Sequence, residues 1–513
     1  MRPTVSIPER YNASELLDRN LSAGRGDKIA VRCGSQRATY AELQGRACRF
    51  GNALKGLGLR REERVLLALN DTPVFPVAFL GAIRAGCVPV PVNPLLKAED
   101  YRFFLEDTYA RAAVVDHEYV GKVLGPMENR AEPLDVIVAN GNSDGLLGFE
   151  DFVGRGVATL PSEDTHRDDM AFWLYSSGST GRPKGVVHRQ HDILVTCETY
   201  ARNVLGIREE DVTFSTSKLF HAYGLGNNLS FPYWAGASTI LHPGRPTPET
   251  ILETIDASRP TLFFAVPTLY NTILNFPDLR KYDLSSIRLC VSAAEALPPE
   301  IWRRWKEATG LAILDGIGTT EMLHIFLSNR SDALRPGSSG TPVPGYEAKV
   351  VDDEGHPVPP GQAGHLLVRG DSAAAFYWHD HAKTKATILG DWMRTGDWYR
   401  IDTDGFFWYE GRTDDMMKVG GLWVSPIEVE NVLIEHPAVL EAAVVGVAVE
   451  GLSRMKAYVV LRKGEEGTTR LVSDLQAWCK DRLERYKYPH AVEFVPDLPK
   501  TITGKIQRFR LRG

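Results

Sequence analysis

The chain has 513 residues, of which 43% are hydrophobic and 24% charged, and its formal net charge is −6. This length exceeds what one hydrophobic core usually supports, so at least two domains are expected. A weak negative charge offers no general attraction to nucleic acid, and no stretch approaches the roughly 20 apolar residues of a membrane-spanning helix. The composition is therefore typical of a globular protein that binds neither nucleic acid nor membrane.

The N-terminal segment and the cysteines indicate the cellular compartment. The first residues, MRPTVSIPERYNASELLDRN, contain prolines and charges of both signs in place of the apolar core of a secretory signal. The six cysteines occur singly, without a C-x-x-C pair, which argues against disulfides and against a zinc site. We therefore expect a cytoplasmic protein.

Short β-branched runs alternate with helical patterns from the N-terminus to about residue 336. The alternation begins with the strand-like KIAVRCG, the helical AELQGRACRFGNALKGLG and the strand-like ERVLLALN. Further buried-type runs follow in the order VPVPVN, RAAVVD, DVIVAN, ASTILH, TLFFAVP, IRLCVSAAE and AILDGIG. This βαβ order predicts parallel sheets with helices on both faces.

The last third of the chain has two different patterns. GYEAKVVDDEG, GHLLVRG and GFFWYEGR are strand-like runs between Gly and Pro turns, which predict a small antiparallel β-subdomain. Beyond Asp414, the chain has its own alternation of helix and strand, enough for a small α+β domain. We therefore predict an α/β protein with a large layered N-terminal domain, residues 1–413, and a hinged C-terminal domain, residues 414–513.

The segment from Tyr175 to Gly185, YSSGSTGRPKG, is the strongest local motif. Its glycines allow tight turns that present backbone N–H groups, while its hydroxyls and lysine add donors and positive charge, which suits a triphosphate. The spacing differs from G-x-x-x-x-G-K-[ST], so this is not a Walker loop. The predicted phosphate-binding residues are Ser176, Ser177, Gly178, Ser179, Thr180, Gly181 and Lys184.

This loop and five further motifs resemble, in the same order, those of the adenylate-forming superfamily, which includes acyl- and aryl-CoA ligases, luciferases and peptide-synthetase adenylation domains. The resemblance spans nearly the whole chain. The five motifs are Gly316-Ile-Gly-Thr-Thr-Glu321, Arg394-Thr-Gly-Asp397, Gly411-Arg-Thr-Asp-Asp415, Lys418 with Val424-x-Pro-x-Glu-Val-Glu430, and Pro499-Lys-Thr-Ile-Thr-Gly-Lys505. They imply ATP-dependent activation of a carboxylate as an acyl-adenylate.

The resemblance also supplies the remaining residues of the nucleotide site. Thr320 would reach the α-phosphate with its hydroxyl, and Glu321 would hold the Mg²⁺ that offsets the triphosphate charge. Asp397 resembles the family aspartate that accepts hydrogen bonds from the ribose hydroxyls, and Arg412 lies where the family has a second ribose or phosphate contact. Asp315, directly before the Gly316 motif, is assigned to the nucleotide site as well.

Two lysines are assigned to different half-reactions by the same resemblance. Lys505 would bridge the substrate carboxylate and the α-phosphate, like charges whose repulsion is about 4 kcal/mol at about 4 Å and an effective dielectric of about 20. The family then rotates its small domain, with Asp414 at the hinge position, and Lys418 would face the site during thioester formation. Coenzyme A is the implied acceptor.

Three segments, residues 218–227, 292–298 and 321–329, are similar to those of the benzoate-CoA ligase branch. By this resemblance, a flat aromatic ring would lie among Ala222, Tyr223, Gly318, His324 and Ile325. His221 would lie near the reacting carboxylate and the pantetheine tunnel, with an orienting role. The branch tends to carry phenylalanine there, which leaves both benzoate and hydroxylated rings open as substrates.

The sequence therefore predicts an AMP-forming acid–thiol ligase for benzoate or a substituted benzoate, acting as a monomer or homodimer. ATP, Mg²⁺ and coenzyme A are the expected cofactor and co-substrates. The alternative is an adenylation enzyme that loads an aryl or medium-chain acid onto a carrier protein or coenzyme A, although no carrier sequence follows in this chain. A luciferase would need a larger pocket, and a nucleotide-binding regulator would lack Glu321, Lys418 or Lys505.

Overall fold

The computed structural model describes residues 5–127, 133–177, 182–419, 422–449, 452–484, 486–500 and 506–512. The predicted site residues outside this description are Gly178, Ser179, Thr180, Gly181, Lys505 and the side chains of Ser177 and Lys418. No helix within the described ranges has the length and apolar character needed to cross a bilayer. All six cysteines are buried free thiols.

The first helix-covered layer contains five parallel strands. Their spatial order is Val88–Pro91, Arg64–Ala68, Ala112–Asp116, Asp135–Ala139 and Leu147–Gly148. The helices of this region are Glu15–Ser22, Tyr40–Gly56, Val74–Arg84, Ala98–Thr108, Val120–Met127 and Phe149–Gly154, with a 3₁₀ turn at His117–Tyr119. The strands are almost wholly buried, as expected for parallel strands with both faces covered.

The second layer is a nine-stranded sheet. Its spatial order is Thr341–Pro342, Ile325–Ser328, Ile313–Gly318, Leu289–Ser292, Leu262–Ala265, Val212–Ser215, Ser238–Ile240, Ile29–Cys33 and Gln36–Thr39. The strands from Ile313–Gly318 to Ile29–Cys33 are parallel, and the outer pairs are antiparallel. Ligands of such sheets bind beyond the carboxyl ends of the parallel strands.

Short helices and turns connect the strands of the nine-stranded sheet. The α-helices are Asp192–Thr196, Ala222–Leu225, Phe231–Ala235, Pro248–Ser258, Pro267–Leu274 and Pro299–Thr309. Cys197–Leu205 and Gly226–Ser230 are π-helical, and Leu279–Lys281 and Thr320–Met322 are 3₁₀ turns. π-helical segments are frequent at functional sites, and Gly226–Ser230 directly follows the predicted acyl-pocket segment.

Antiparallel strands form the predicted β-subdomain. They are Glu347–Val351, Ala363–Arg369, Ile388–Leu389, Trp392–Ile401 and Phe407–Arg412, with the helix His381–Thr387. A separate antiparallel hairpin, Met170–Ser177 with Pro183–Arg189, carries the predicted phosphate loop at its tip and pairs with Phe376–Tyr377. We call it the phosphate-loop hairpin.

The C-terminal region has a core of its own. Its strands are Met417–Val419, Leu422–Val424, Val439–Val449, Leu452–Leu461 and Ala491–Phe494, and its helices are Pro426–Ile434 and Thr469–Lys480, with a 3₁₀ turn at Arg508–Leu511. Asp414 lies in an exposed turn between strands Phe407–Arg412 and Met417–Val419. The α/β architecture with a small α+β C-terminal region is confirmed, and the hinge at Asp414 stays a prediction.

Candidate active site

A cavity of about 160 Å³ lies where three parts of the chain meet. The N-terminal layers supply the glycine turn that ends strand Ile313–Gly318, the antiparallel subdomain supplies Asp397 and Arg412, and the C-terminal region supplies Ile506 and Arg508. The predicted ribose-binding residues therefore share one cavity with the C-terminal tail.

Asp397 and Arg412 are cross-strand partners in the antiparallel subdomain. Arg412 Nη1 donates to Asp397 Oδ1 at 2.9 Å, and the carboxylate raises the pKa of the guanidinium above its ordinary value. Asp397 is 3% exposed, and its Oδ2 has no hydrogen-bond partner in the described part of the chain. Gly396 has φ +79°, and a Cβ there would lie 3.1 Å from Arg412 Nη2. The pair therefore leaves one buried acceptor oxygen for a ligand hydroxyl.

Asp315 lies on the buried part of strand Ile313–Gly318. Burial raises the pKa of its carboxyl well above the ordinary value, and its Oδ1 has no partner among the described residues. The backbone N–H and side-chain amide of Asn329 both donate to the Asp315 carbonyl, at 2.9 and 3.2 Å. The backbone at Asp315 is thus held in place, and one side-chain oxygen has no partner among the described residues.

Glu321 is placed against the phosphate-loop hairpin. Its Oε1 accepts from the Tyr377 hydroxyl at 2.8 Å and from Ser176 Oγ at 3.4 Å. Burial and the neighbouring Glu321 carboxylate raise the pKa of Tyr377 above its ordinary value. Lys184 is the cross-strand partner of Ser176 and is half-buried. Thr320, Glu321, Ser176 and Lys184 therefore converge where the hairpin tip begins.

His324 is the centre of the predicted acyl pocket. It is 3% exposed, its ring centroid lies 5.6 Å from that of Tyr223 and 4.5 Å from that of Phe231, and burial lowers its pKa to about 3. Nε2 faces the Tyr223 carbonyl oxygen at 3.3 Å and Asn227 Oδ1 at 3.2 Å. The ring is therefore neutral with its proton on Nε2, because the Tyr223 carbonyl can only accept.

Gly318 and Ile325 bring the walls of the pocket together as partners in antiparallel strands. A Cβ on Gly318 would lie 2.5 Å from the His324 carbonyl oxygen, so only glycine permits this approach. Ile325 and Ala222 are buried, and Tyr223 is half-buried with its hydroxyl donating to the Val291 carbonyl at 3.3 Å.

His221 is half-buried at the start of helix Ala222–Leu225. Its ring centroid lies 4.4 Å from that of Phe220, and burial lowers its pKa to about 4. Its ring nitrogens have no hydrogen-bond partner in the part of the chain that the structure describes. A neutral imidazole of such low pKa is a weak base, which agrees with an orienting role rather than proton abstraction.

Several residues at the site were not found from the sequence. The backbone N–H of Ile506 donates to Glu295 Oε1 at 2.9 Å, and Arg508 pairs with Glu430 at 3.0 and 2.7 Å. Glu295 and Glu430 stand inside quoted motifs, but only the fold shows that they contact the C-terminal tail. Tyr377 lies in no motif, and no signal in the sequence indicated it.

This fold and this nucleotide site define a family. The chain belongs to the AMP-binding enzymes: the AMP-binding enzyme family matches residues 18–378, and the AMP-binding enzyme C-terminal domain matches residues 428–505. The chain is 48% identical to the benzoate–CoA ligase of Thauera aromatica over 100% of this chain and 97% of that protein. It is 42% identical to the 4-hydroxybenzoate–CoA/benzoate–CoA ligase of Rhodopseudomonas palustris, covering 98% of this chain and 94% of that one.

Solved structures give the same relationship. A benzoate CoA ligase from Burkholderia xenovorans LB400 superposes with a TM-score of 0.92 at 47% identity, covering 98% of this chain and 100% of that one. The anthranilate CoA ligase AuaEII, solved with anthranoyl-AMP, superposes with a TM-score of 0.95 at 44% identity, covering 98% and 97%.

Proposed function

We propose that this protein is an ATP-dependent aryl–CoA ligase. It activates benzoate or a substituted benzoate as the acyl-adenylate, releases pyrophosphate, and then transfers the acyl group to coenzyme A. The observation that carries the proposal is the convergence of the Asp397–Arg412 pair, the glycine turn of residues 316–319 and the C-terminal tail at one cavity. The full-length similarity to benzoate– and hydroxybenzoate–CoA ligases supports the same reaction.

Asp397 and Arg412 bind the ribose in this proposal. The unpartnered Oδ2 of Asp397 accepts a hydrogen bond from a ribose hydroxyl, while Arg412 holds the other carboxylate oxygen in place. Asp315, whose Oδ1 is also unpartnered within the described ranges, completes the nucleotide side. These groups orient the α-phosphate toward the acyl pocket.

The oxygen atoms beside the phosphate-loop hairpin are suitable ligands for Mg²⁺. Carboxylate and hydroxyl oxygens are the hard ligands that Mg²⁺ prefers, and the ion is commonly held by one or two carboxylates plus substrate phosphates. In the described ranges, no group of three or more His, Cys, Asp or Glu side chains could hold a metal by itself. Glu321 would therefore hold the ion together with phosphate oxygens, where it offsets the charge of the triphosphate.

Lys505 is proposed to bridge the carboxylate and the α-phosphate. Ile506, the residue that follows it, lines the nucleotide cavity and donates its backbone N–H to Glu295 of the N-terminal region. This contact supports an orientation of the C-terminal domain suited to adenylation. A cation between two like charges stabilises the transition state because the charges must approach within van der Waals distance.

Domain rotation about Asp414 is proposed for the second half-reaction. Two further hydrogen bonds join the domains: Asn271 Nδ2 donates to the Leu440 carbonyl at 3.1 Å, and Arg462 Nη1 to Asn275 Oδ1 at 2.9 Å. Burial lowers the pKa of Arg462, as does the neighbouring Arg304 cation on the other side of the interface. The like charges of Arg462 and Arg304 across the interface favour separation, and Lys418, in the hairpin after Asp414, would then serve thioester formation.

The proposal is tested by acid-dependent AMP release with and without coenzyme A. Benzoate, hydroxybenzoates, anthranilate, furoate and a medium-chain fatty acid are compared at saturating ATP. We expect release with at least one aryl acid, dependent on coenzyme A, and little with the fatty acid. Release that needs a carrier protein in place of coenzyme A would favour the carrier-loading alternative, and activity confined to the fatty acid would contradict the aryl assignment.

A further inference from the structure

A buried histidine–aspartate pair lies directly behind the turn that carries Thr320 and Glu321. The side chains of His188 and Asp192 have no solvent exposure. His188 Nδ1 lies 2.8 Å from Asp192 Oδ2, and His188 Nε2 lies 2.8 Å from the Thr320 carbonyl oxygen. The His188 ring also stacks on Phe172, its cross-strand partner in the phosphate-loop hairpin, with ring centroids 5.2 Å apart. The pair therefore connects the base of this hairpin to the Thr320 turn.

The partners of His188 fix the positions of its protons. A carbonyl oxygen only accepts, so Nε2 carries a proton and donates it to Thr320. Nδ1 faces the Asp192 carboxylate on the other side of the ring, so this carboxylate fixes the orientation of the imidazole. Asp192 Oδ2 accepts the Arg189 backbone N–H at 3.1 Å as well. The donor at Nε2 is thus maintained by the aspartate behind it.

The turn itself depends on outside partners. The three consecutive carbonyl groups of residues 320–322 are each held by a different segment of the chain. Their donors are His188 Nε2, the Ala374 backbone N–H at 2.7 Å and the Ser372 hydroxyl at 2.8 Å. The next residue, Leu323, has φ +64°, a conformation that a residue with a Cβ rarely adopts. Inside the turn, the Leu323 backbone N–H also donates to the Thr320 carbonyl at 3.0 Å and the Met322 N–H to Thr319 Oγ1 at 3.2 Å, so the outside contacts add to the turn's own hydrogen bonds.

We propose that His188, supported by Asp192, is a positioning residue for adenylate formation. By fixing the Thr320 carbonyl, it sets the direction in which the Thr320 hydroxyl and the Glu321 carboxylate meet the triphosphate. This inference rests on the proposed ATP-dependent function of the site. His188 is buried behind the turn and acts through it. A displacement of about 1 Å in groups that align reactants can reduce a rate by about 100-fold.

Two variants distinguish the contribution of the His188 Nε2 hydrogen-bond donor from that of the rest of the ring. In His188→Gln, the longer amide can place an N–H at the former Nε2 position, whereas in His188→Asn the shorter amide reaches only the side of Asp192. We expect His188→Asn to lose about 100-fold in acid-dependent pyrophosphate exchange and His188→Gln to lose about threefold. Both variants should form thioester from supplied aryl-adenylate at close to the wild-type rate, because that step does not align a triphosphate.

ATP binding without acid gives a readout that does not depend on turnover. Titration calorimetry is done with and without Mg²⁺. Wild type and His188→Gln should bind ATP more tightly with Mg²⁺, and His188→Asn should lose that difference. The matched control is His365→Asn, which alters another buried histidine paired with an aspartate, Asp353 at 2.9 Å, in the antiparallel subdomain. It should match wild type in all three assays, and thermal unfolding midpoints verify that each variant folds.

Equal losses in His188→Asn and His188→Gln would overturn the proposal, as would a parallel fall of both half-reactions in proportion to stability. The failure of the proposed function has a different signature. In that case the wild type gives no exchange with any aryl acid, while the calorimetric difference between the two His188 variants still tests the positioning role.

Discussion

The acyl side and the nucleotide side of the site differ in the charge of their side chains. The two histidines of the predicted acyl pocket are neutral, because burial lowers the pKa of His324 to about 3 and that of His221 to about 4. The nucleotide side has polar side chains in paired contacts, in which Arg412 donates to Asp397 and the Tyr377 hydroxyl donates to Glu321. In the proposed reaction, the two sides therefore have different tasks: the shape of the acyl side selects the ring, and the charged groups of the nucleotide side perform the activation.

The largest effect is expected from Lys505→Ala, which removes the proposed bridging cation from the nucleotide side. Adenylate formation, measured by pyrophosphate exchange, should fall by roughly two to three orders of magnitude. Lys418→Ala should chiefly slow thioester formation from supplied adenylate. Lys463→Ala, at an exposed lysine of the same domain, is the control. Equal losses in both half-reactions for both site lysines would contradict the assignment of one lysine to each step.

A second substitution tests whether charge on the nucleotide side acts on ATP alone. Asp397→Asn keeps the shape of the side chain but leaves Arg412 without its buried carboxylate partner. We expect the KM for ATP to rise about 30-fold, with the KM for the acid unchanged. The matched control is Asp404→Asn, which alters the exposed ion pair with Arg335 in the same subdomain. A comparable rise in the KM for the acid would remove the proposed division between the two sides.

The acyl side is tested by a steric change without charge. Gly226→Ala would place a Cβ 2.3 Å from His324 Cδ2 and so crowd the pocket wall. We expect the KM for the aryl acid to rise about tenfold while ATP binding stays unchanged. Gly121→Ala is the control, because a Cβ there has no neighbour within 4 Å among the described residues. A loss of ATP binding in Gly226→Ala would show that the two sides are not independent.

The smallest effect concerns pH. Since His221 and His324 have lowered pKa values of about 4 and about 3, both are neutral at pH 6 to 8, and the KM for the acid should vary less than about twofold there. Between pH 6.5, the ordinary histidine pKa, and about 4, the unfolded chain binds protons that the folded chain excludes. The free energy of unfolding should therefore fall as the pH falls through this window.

Chemical denaturation of the wild type and of His324→Gln checks the predicted direction of this pH dependence. The variant should show a weaker pH dependence of the unfolding free energy between pH 6.5 and about 4, because one group that takes up protons on unfolding has been removed. A KM that titrates near pH 6.5 in the wild type, and no longer does so in His221→Phe, would show instead that His221 changes its charge during binding.

The sequence predicted the individual strands well, but it did not predict which strands share a sheet. Alternating runs such as ERVLLALN correspond to strands, here Arg64–Ala68, because buried parallel strands need continuous apolar residues. The division of these strands between two sheets was not predictable. Strand Ile29–Cys33 pairs with Ser238–Ile240, about 200 residues away, and such pairing leaves no local signal in the chain.

The candidate site shows the same contrast. Asp397 and Glu321 were identified by the order of their motifs along the chain. The structure brings Asp397 to the cavity and Glu321 to the tip end of the phosphate-loop hairpin. Tyr377 and His188 were missed because their roles arise only from tertiary contact. Tyr377 meets Glu321 from 56 positions away, and His188 meets Thr320 from 132 positions away. A residue that positions another through tertiary contact lies at no fixed distance from it along the sequence, so no motif reveals it.

Formation of the acyl-adenylate is the central step of the proposed reaction, and isotope transfer tests this step directly. Benzoate labelled with ¹⁸O in both carboxylate oxygens is converted to the thioester in the presence of ATP, Mg²⁺ and coenzyme A, and the AMP and pyrophosphate are analysed by mass spectrometry. Attack of the carboxylate on the α-phosphate leaves one labelled oxygen in each AMP and none in pyrophosphate. Unlabelled AMP, or label in pyrophosphate, would contradict the proposed mechanism.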